Sequence, residues 1–201
     1  MVASADLLRR LAGECDHVVA VDRGLDALLG AGLGCDAYVG DGDTVSDAGR
    51  ALVDAAEAFE VERHDPYKDY TDLALALDSV RRRWPGAEVL ATCATGGRPD
   101  MALSVLGLLA GYEDAPVWIA EDETTARILH GGDSWTIVGA EGKTFSIIAI
   151  APNTEVSEHG LEWELDHAPL GLLADTGISN VVRSTATIQV HTGTAIAYLY
   201  H

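Results

Sequence analysis

The sequence predicts an α/β fold class: a mainly parallel α/β domain followed by an antiparallel β-sandwich. Three observations carry that expectation. Over roughly the first 120 residues, short apolar runs alternate with stretches of helical spacing, the pattern of strands joined by covering helices. Beyond that point, β-rich runs separated by glycine-containing turns replace the alternation. At 48 % hydrophobic and 22 % charged, the 201 residues have ordinary globular composition, which argues against wholesale disorder. The expected division is an α/β domain over 1–121 and a sandwich over 122–201.

Leu7, Leu8 and Leu11 place a helix close to Met1. Val18 to Val21 is a strand ending at Asp22, and Leu25, Leu28 and Leu29 follow at helical spacing. Ala37 to Val39 is a second strand, ending at Gly40-Asp41. Ser46 is placed to cap a helix carrying Ala51, Leu52, Ala55 and Ala56. After a weaker strand at Val61, Thr71 caps a helix with Leu73, Leu77, Val80 and Trp84, which must stop before Pro85. Glu88 to Thr92 reads as a strand, Asp100 to Leu109 as a helix and Val117 to Ala120 as another strand. Four further strands are expected at Trp135 to Val138, Lys143 to Ile150, Thr187 to Thr192 and Ala195 to Tyr200. The last two flank Thr192-Gly193 and read as a hairpin.

Thirteen Lys and Arg against 32 Asp and Glu give a net charge of -19, which disfavours nucleic acid or an anionic membrane as partner. The apolar runs are too short to span a bilayer, and the N-terminus lacks the regions of a signal peptide. Cys15, Cys35 and Cys93 are scattered, which argues against a disulfide framework or a structural zinc site. The seven histidines show no His-x-x-x-His spacing, and His64, His159 and His167 read as loop residues. A cytoplasmic location is expected.

The informative feature is where the aspartates fall. Asp22 follows one strand, Asp41 and Asp43 follow the next, Asp69 and Asp72 flank a helix start, and Asp100 follows Gly96-Gly97-Arg98. Taken singly, each reads as a turn, cap or solvated residue. Together they mark strand-to-helix junctions, and ligands of open parallel sheets bind at the carboxyl ends of the strands. Converging carboxylates repel one another, and a magnesium ion bound to oxygen ligands and substrate phosphates relieves that repulsion. Lys68 and Arg98 are placed to contact phosphate oxygens. Spacing does not single out which aspartate touches the metal.

The ordered segments resemble the thiamine pyrophosphokinase family. Val21-Asp22-Arg23-Gly24 resembles its Asp-Gly-Gly segment, and Gly40-Asp41-Gly42-Asp43-Thr44 its Gly-Asp-x-Asp-Ser segment. Lys68-Asp69-Tyr70-Thr71-Asp72 is similar to Lys-Asp-x-Thr-Asp, and Gly96-Gly97-Arg98-Pro99-Asp100 to Gly-Gly-Arg-x-Asp. Gly160-Leu161-Glu162-Trp163 and Gly177-Ile178-Ser179-Asn180 resemble its two thiamine-site segments. The resemblance implies a Rossmann-like N-terminal domain, a C-terminal thiamine-binding sandwich and a homodimer whose site is shared between subunits. It also implies transfer of diphosphate from ATP to the hydroxyethyl group of thiamine, releasing AMP, with Mg2+ as cofactor.

On this resemblance Asp41, Asp43, Asp69 and Asp72 are the expected metal ligands. Asp22, Lys68, Asp69, Thr71 and Arg98 face ATP and its phosphates. Asp43, Asp72, Arg98 and Asp100 carry the catalytic work, with Asp100 orienting or deprotonating the thiamine hydroxyl. Trp163 stacks on the thiamine rings, and Ser179 and Asn180 bond the aminopyrimidine. Without the resemblance, Trp163 reads as a half-buried strand residue and Ser179-Asn180 as turn chemistry. Met101 stands where the family usually has His, Arg23 replaces a glycine, and the family's opening strand and glycine-rich turn have no counterpart before the first helix. These departures motivate two alternatives, a thiamine-binding protein with lost or reduced turnover and a related diphosphokinase for another heterocyclic alcohol such as a hydroxymethylpterin.

Overall fold

The computed structural model describes residues 3–201, and internal packing divides the chain into two units. One holds the chain through Ala87 together with Cys93–Leu108; the other holds Glu88–Thr92 together with Leu109–His201.

In the first unit, β1 (Val19–Val21), β2 (Ala37–Gly40) and β3 (Glu60–Arg63) form a parallel sheet with β2 in the centre and buried throughout. The helices are α1 (Ala5–Glu14), α2 (Gly24–Gly30), α3 (Asp47–Ala55), α4 (Asp72–Arg83) and α5 (Pro99–Ala110), the last belonging to this unit through Leu108. Ser4, Ser46 and Thr71 cap α1, α3 and α4 by accepting from Leu7 N, Gly49 N and Ala74 N, which satisfies amides that the helix leaves orphaned. Helix α4 ends one residue before Trp84-Pro85, and its last turn carries Arg81, Arg82 and Arg83, whose charge complements the helix dipole. Ala20, Leu25, Leu28, Tyr38, Val45 and Val53 make the core.

The second unit is a β-sandwich. One layer runs β4 (Val89–Ala91), β5 (Val117–Glu121), β6 (Thr124–His130), β12 (Thr194–Tyr200), β8 (Thr144–Ala149). The other runs β7 (Ser134–Ile137), β11 (Asn180–Thr192), β9 (Thr154–Leu161), β10 (Leu165–Leu170). All ladders are antiparallel except β4–β5. Strand β11 belongs to both layers, pairing with β8 at Asn180 and Val181 and with β9 and β7 beyond them. Trp135, Phe145, Ile147, Val156, Val182 and Ile188 fill the space between.

Two sequence expectations are corrected. Strands β4 and β5 pair parallel as expected, but with β6 of the antiparallel layer rather than with β1–β3, since Val117 and Ile119 bury against Ile128 and Ala126. The turn at Gly193 is present, yet β11 and β12 do not form a hairpin ladder: β12 pairs with β6 and β8. A Cβ on Gly193 would sit 2.4 Å from Thr154 Oγ1, so the chain corners against Thr154 and crosses between layers. No helix among the described residues is long and apolar enough to cross a membrane.

Candidate active site

The loops after β1 and β2 lie side by side because Asp22 N bonds Val39 O. Asp22 adopts φ 45°, a left-handed conformation that aspartate tolerates better than most side chains. Gly40 ends β2, and a Cβ there would come 2.8 Å from Tyr38 Oη and 3.2 Å from Asp22 Cα. Only glycine allows the two loops and the tyrosine to meet this closely.

Carboxylate oxygens of Asp22, Asp41 and Asp43 all lie within 4.8 Å of one another. Asp22 accepts from Thr44 Oγ1 and, at 3.4 Å, from the hydroxyl of the buried Tyr38. Burial, reinforced by the Asp22 charge, pushes the Tyr38 phenol well above its usual range, so it stays a donor. Asp41 accepts from Asp43 N at 3.1 Å. The side-chain bond with Asp41 raises the pKa of Asp43, reinforced by the neighbouring carboxylate charges.

Lys68 closes the other side. Its Nζ lies 2.7 Å from Asp41 Oδ2 and 3.1 Å from Asp72 Oδ1, with all three side chains largely buried. The Lys68 bond holds Asp41 below its usual carboxylate range. Burial works against the Lys68 charge, but its bonds to Asp41 and Asp72 outweigh it and the pKa is raised. The structure thus brings together Asp22, Asp41, Asp43, Lys68 and Asp72 at the carboxyl ends of β1 and β2. Asp69 is exposed just before α4, and Thr71 is the cap of that helix. A concavity lined by Cys35, Asp36, Phe59 and Arg83 sits at the opposite, amino ends of β2 and β3 and holds none of these residues.

Arg98 and Asp100 pair with each other through two bonds, at 3.1 and 2.5 Å, at the exposed start of α5. The Arg98 guanidinium holds the Asp100 carboxyl below its usual range.

In the second unit, Trp163 lies in the bend between β9 and β10, not in a strand, with its ring exposed. Asn180 ties that bend to the start of β11: its Oδ1 accepts from Trp163 N at 3.1 Å and its Nδ2 donates to Trp163 O at 2.7 Å. Ser179 adopts φ 58° and its N–H donates to Ser146 Oγ at 3.0 Å. Beneath them lies Glu158, fully buried, with Oε2 accepting from Asn180 Nδ2 at 3.3 Å. Burial pushes its carboxyl up to about 7. Sequence reasoning missed both Tyr38 and Glu158. The signal for Tyr38 is a hydroxyl within an otherwise apolar strand, which needs a partner; none existed for Glu158, on a strand with no clean alternation.

Two family models match in order: thiamin pyrophosphokinase, catalytic domain, over residues 8–120, and thiamin pyrophosphokinase, vitamin B1 binding domain, over 134–196. The chain belongs to the thiamin pyrophosphokinase family. Thiamine pyrophosphokinase 1 of Arabidopsis thaliana is 28 % identical over 131 residues, 61 % of this chain and 48 % of that protein, so the match spans about half the length of the plant relative. Thiamin pyrophosphokinase from Geobacillus thermodenitrificans superposes with a TM-score of 0.80 at 25 % identity, covering 100 % of this chain and 92 % of that one. Thiamin pyrophosphokinase from Candida albicans has a TM-score of 0.82 at 13 % identity over 96 % and 84 % of the chains, a likeness of fold alone. The family's two-part architecture, a parallel sheet with helices and a separate antiparallel sandwich, is the one observed.

Proposed function

We propose that the protein is a thiamine diphosphokinase, which transfers diphosphate from ATP to thiamine and releases AMP. The observation that carries this reading is the carboxylate cluster of Asp22, Asp41 and Asp43 closed by the Lys68 clamp. An all-oxygen, mutually repelling donor set fits Mg2+, with Asp41 and Asp43 as principal holders and Asp22, Asp69 and Asp72 beside them. Bound there, the ion would neutralise phosphate charge.

The thiamine hydroxyl oxygen attacks the β-phosphorus of ATP, the bond from that phosphorus to the oxygen bridging to the α-phosphorus breaks, and AMP leaves with the bonding pair. Lys68 holds Asp41 and Asp72 in place and presents positive charge to the phosphates. Asp100 takes the hydroxyl proton. While Arg98 grips it the carboxylate is a weak base, and Arg98 turning to the transferred phosphates frees it. The exposed Trp163 ring offers a face to the cationic thiazolium, and Ser179 and Asn180 frame the aminopyrimidine. Exposed Leu172, Leu173 and Ile178, in the segment between β10 and β11, support a homodimer with shared sites. Three free cysteines accord with a cytoplasmic location.

The deciding experiment is an AMP-release assay with ATP, Mg2+ and thiamine. Thiamine-dependent AMP with thiamine diphosphate as product is expected, and loss of activity in Asp72→Asn. Saturable thiamine binding without AMP would replace this reading with a binding protein, and unchanged turnover in Asp72→Asn would overturn the site.

A further inference from the structure

A second cluster lies on the outer face of the sandwich, formed by residues that the thiamine reading does not use. We propose that Glu155, His167 and His191 form a binding site for a divalent transition-metal ion of the zinc class. One donor atom from each lies within 4.8 Å of the other two. A tetrahedral zinc site with bonds near 2.1 Å separates its ligand atoms by about 3.4 Å, so closure requires shifts of at most ~1.4 Å.

Two β-bulges build the cluster, one on each side of β9. Between Leu165↔Glu158 and Ala168↔Val156, strand β10 carries one extra residue, and His167 within that bulge adopts φ 46°. Between Val190↔Val156 and Thr192↔Glu155, strand β11 carries an extra residue, which is His191 itself. Bulges re-aim side chains, and here both deliver an imidazole to the same place. The rings stack with centroids 3.9 Å apart and planes 15° from parallel.

The surroundings orient the donors as an outer shell does. Ser157 Oγ accepts from His167 N at 3.0 Å and bonds His191 Nε2 at 2.8 Å, which fixes the orientation of the His191 ring. His167 Nδ1 lies 2.7 Å from Glu155 Oε1, sharing a proton where a cation can sit. Three protein ligands at a partly exposed surface leave the fourth position to water.

The test is a Zn2+ titration against a chromophoric chelator, using untagged protein in excess Mg2+, with Co2+ absorption as a second readout. One tight equivalent is expected, with the visible bands of tetrahedral Co2+. His167→Ala and His191→Gln should each weaken it at least tenfold, about the lower bound for outer-shell changes alone. Asp41→Asn should leave it intact. The proposal fails if wild type binds no zinc, if the histidine variants bind like wild type, or if Asp41→Asn alone abolishes binding. His167 is largely exposed, so its variant keeps the test independent of folding.

Discussion

A carboxyl group with no exposed surface, as at Glu158, is neutral wherever burial outweighs its partners. Its folded pKa of about 7 lies above the ordinary 4.5, so the native state binds the extra proton between those values. Stability contributed by the neutral form is therefore fully present below pH ~4.5 and lost as the pH rises through about 7. Glu158→Gln keeps the shape and the acceptor for Asn180 but removes this titration. It should gain roughly 3 kcal/mol relative to wild type at pH 8 and little at pH 4.5, measured by urea unfolding. At the other site, Lys68→Ala strips Asp41 and Asp72 of their counter-charge and should cut AMP release by about 10²-fold or more. Its Lys-Asp-x-Thr-Asp setting was legible in the sequence; its clamp between two aspartates was not, because Asp41 and Lys68 come together only when β2 and the start of α4 are packed side by side. The histidine cluster was equally hidden, since bulges erase the regular spacing by which metal ligands are recognised.

Helices and their caps were the most legible elements, because a cap acts over three or four residues. Ser46 and Thr71 sit where the sequence placed them. Unseen was the support under Ser46: Asp26 accepts from its N at 2.9 Å and from its Oγ at 2.5 Å, fixing α2 to the start of α3. Asp26→Ala should cost about 1 kcal/mol, comparable to loss of the cap itself, and lower the thermal midpoint by a few degrees. Strands β6, β9 and β10 escaped the reading. Strand β9 carries Glu155, Ser157, Glu158 and His159 among its eight residues, and polar groups that serve sites interrupt the two-residue alternation. Gly160 marks the strand's end, with φ 80°, where a Cβ would come 2.3 Å from Thr185 O. Gly160→Ala should destabilise by about 1–3 kcal/mol and loosen the Trp163 bend, read as a lower melting temperature with weaker thiamine binding.

For the molecule as a whole, a net charge of -19 stores self-repulsion that counter-ions relieve. Raising the ionic strength from about 0.01 M to 0.15 M should raise the thermal midpoint, since the screening length falls from about 30 Å to 8 Å. The two-part architecture was legible from the change of period along the chain, whereas the choice of partner for each strand depends on contacts distant in sequence. Strand β4 is the clearest case, inserted at the edge of the sandwich from within the segments that build the first unit. A fragment of residues 122–201 lacks both β4 and β5 and bares the edge of β6, so it should aggregate where a fragment of 88–201 stays dispersed, checked by light scattering. The same insertion sets an order of events during synthesis. On the ribosome β4 emerges before any strand it can pair with, and the chain then returns to finish the first unit before β5 appears. The nascent protein therefore carries β4 unpaired from the emergence of Ala91 until Val117 follows, a short window in which its bare edge is open to chance pairing.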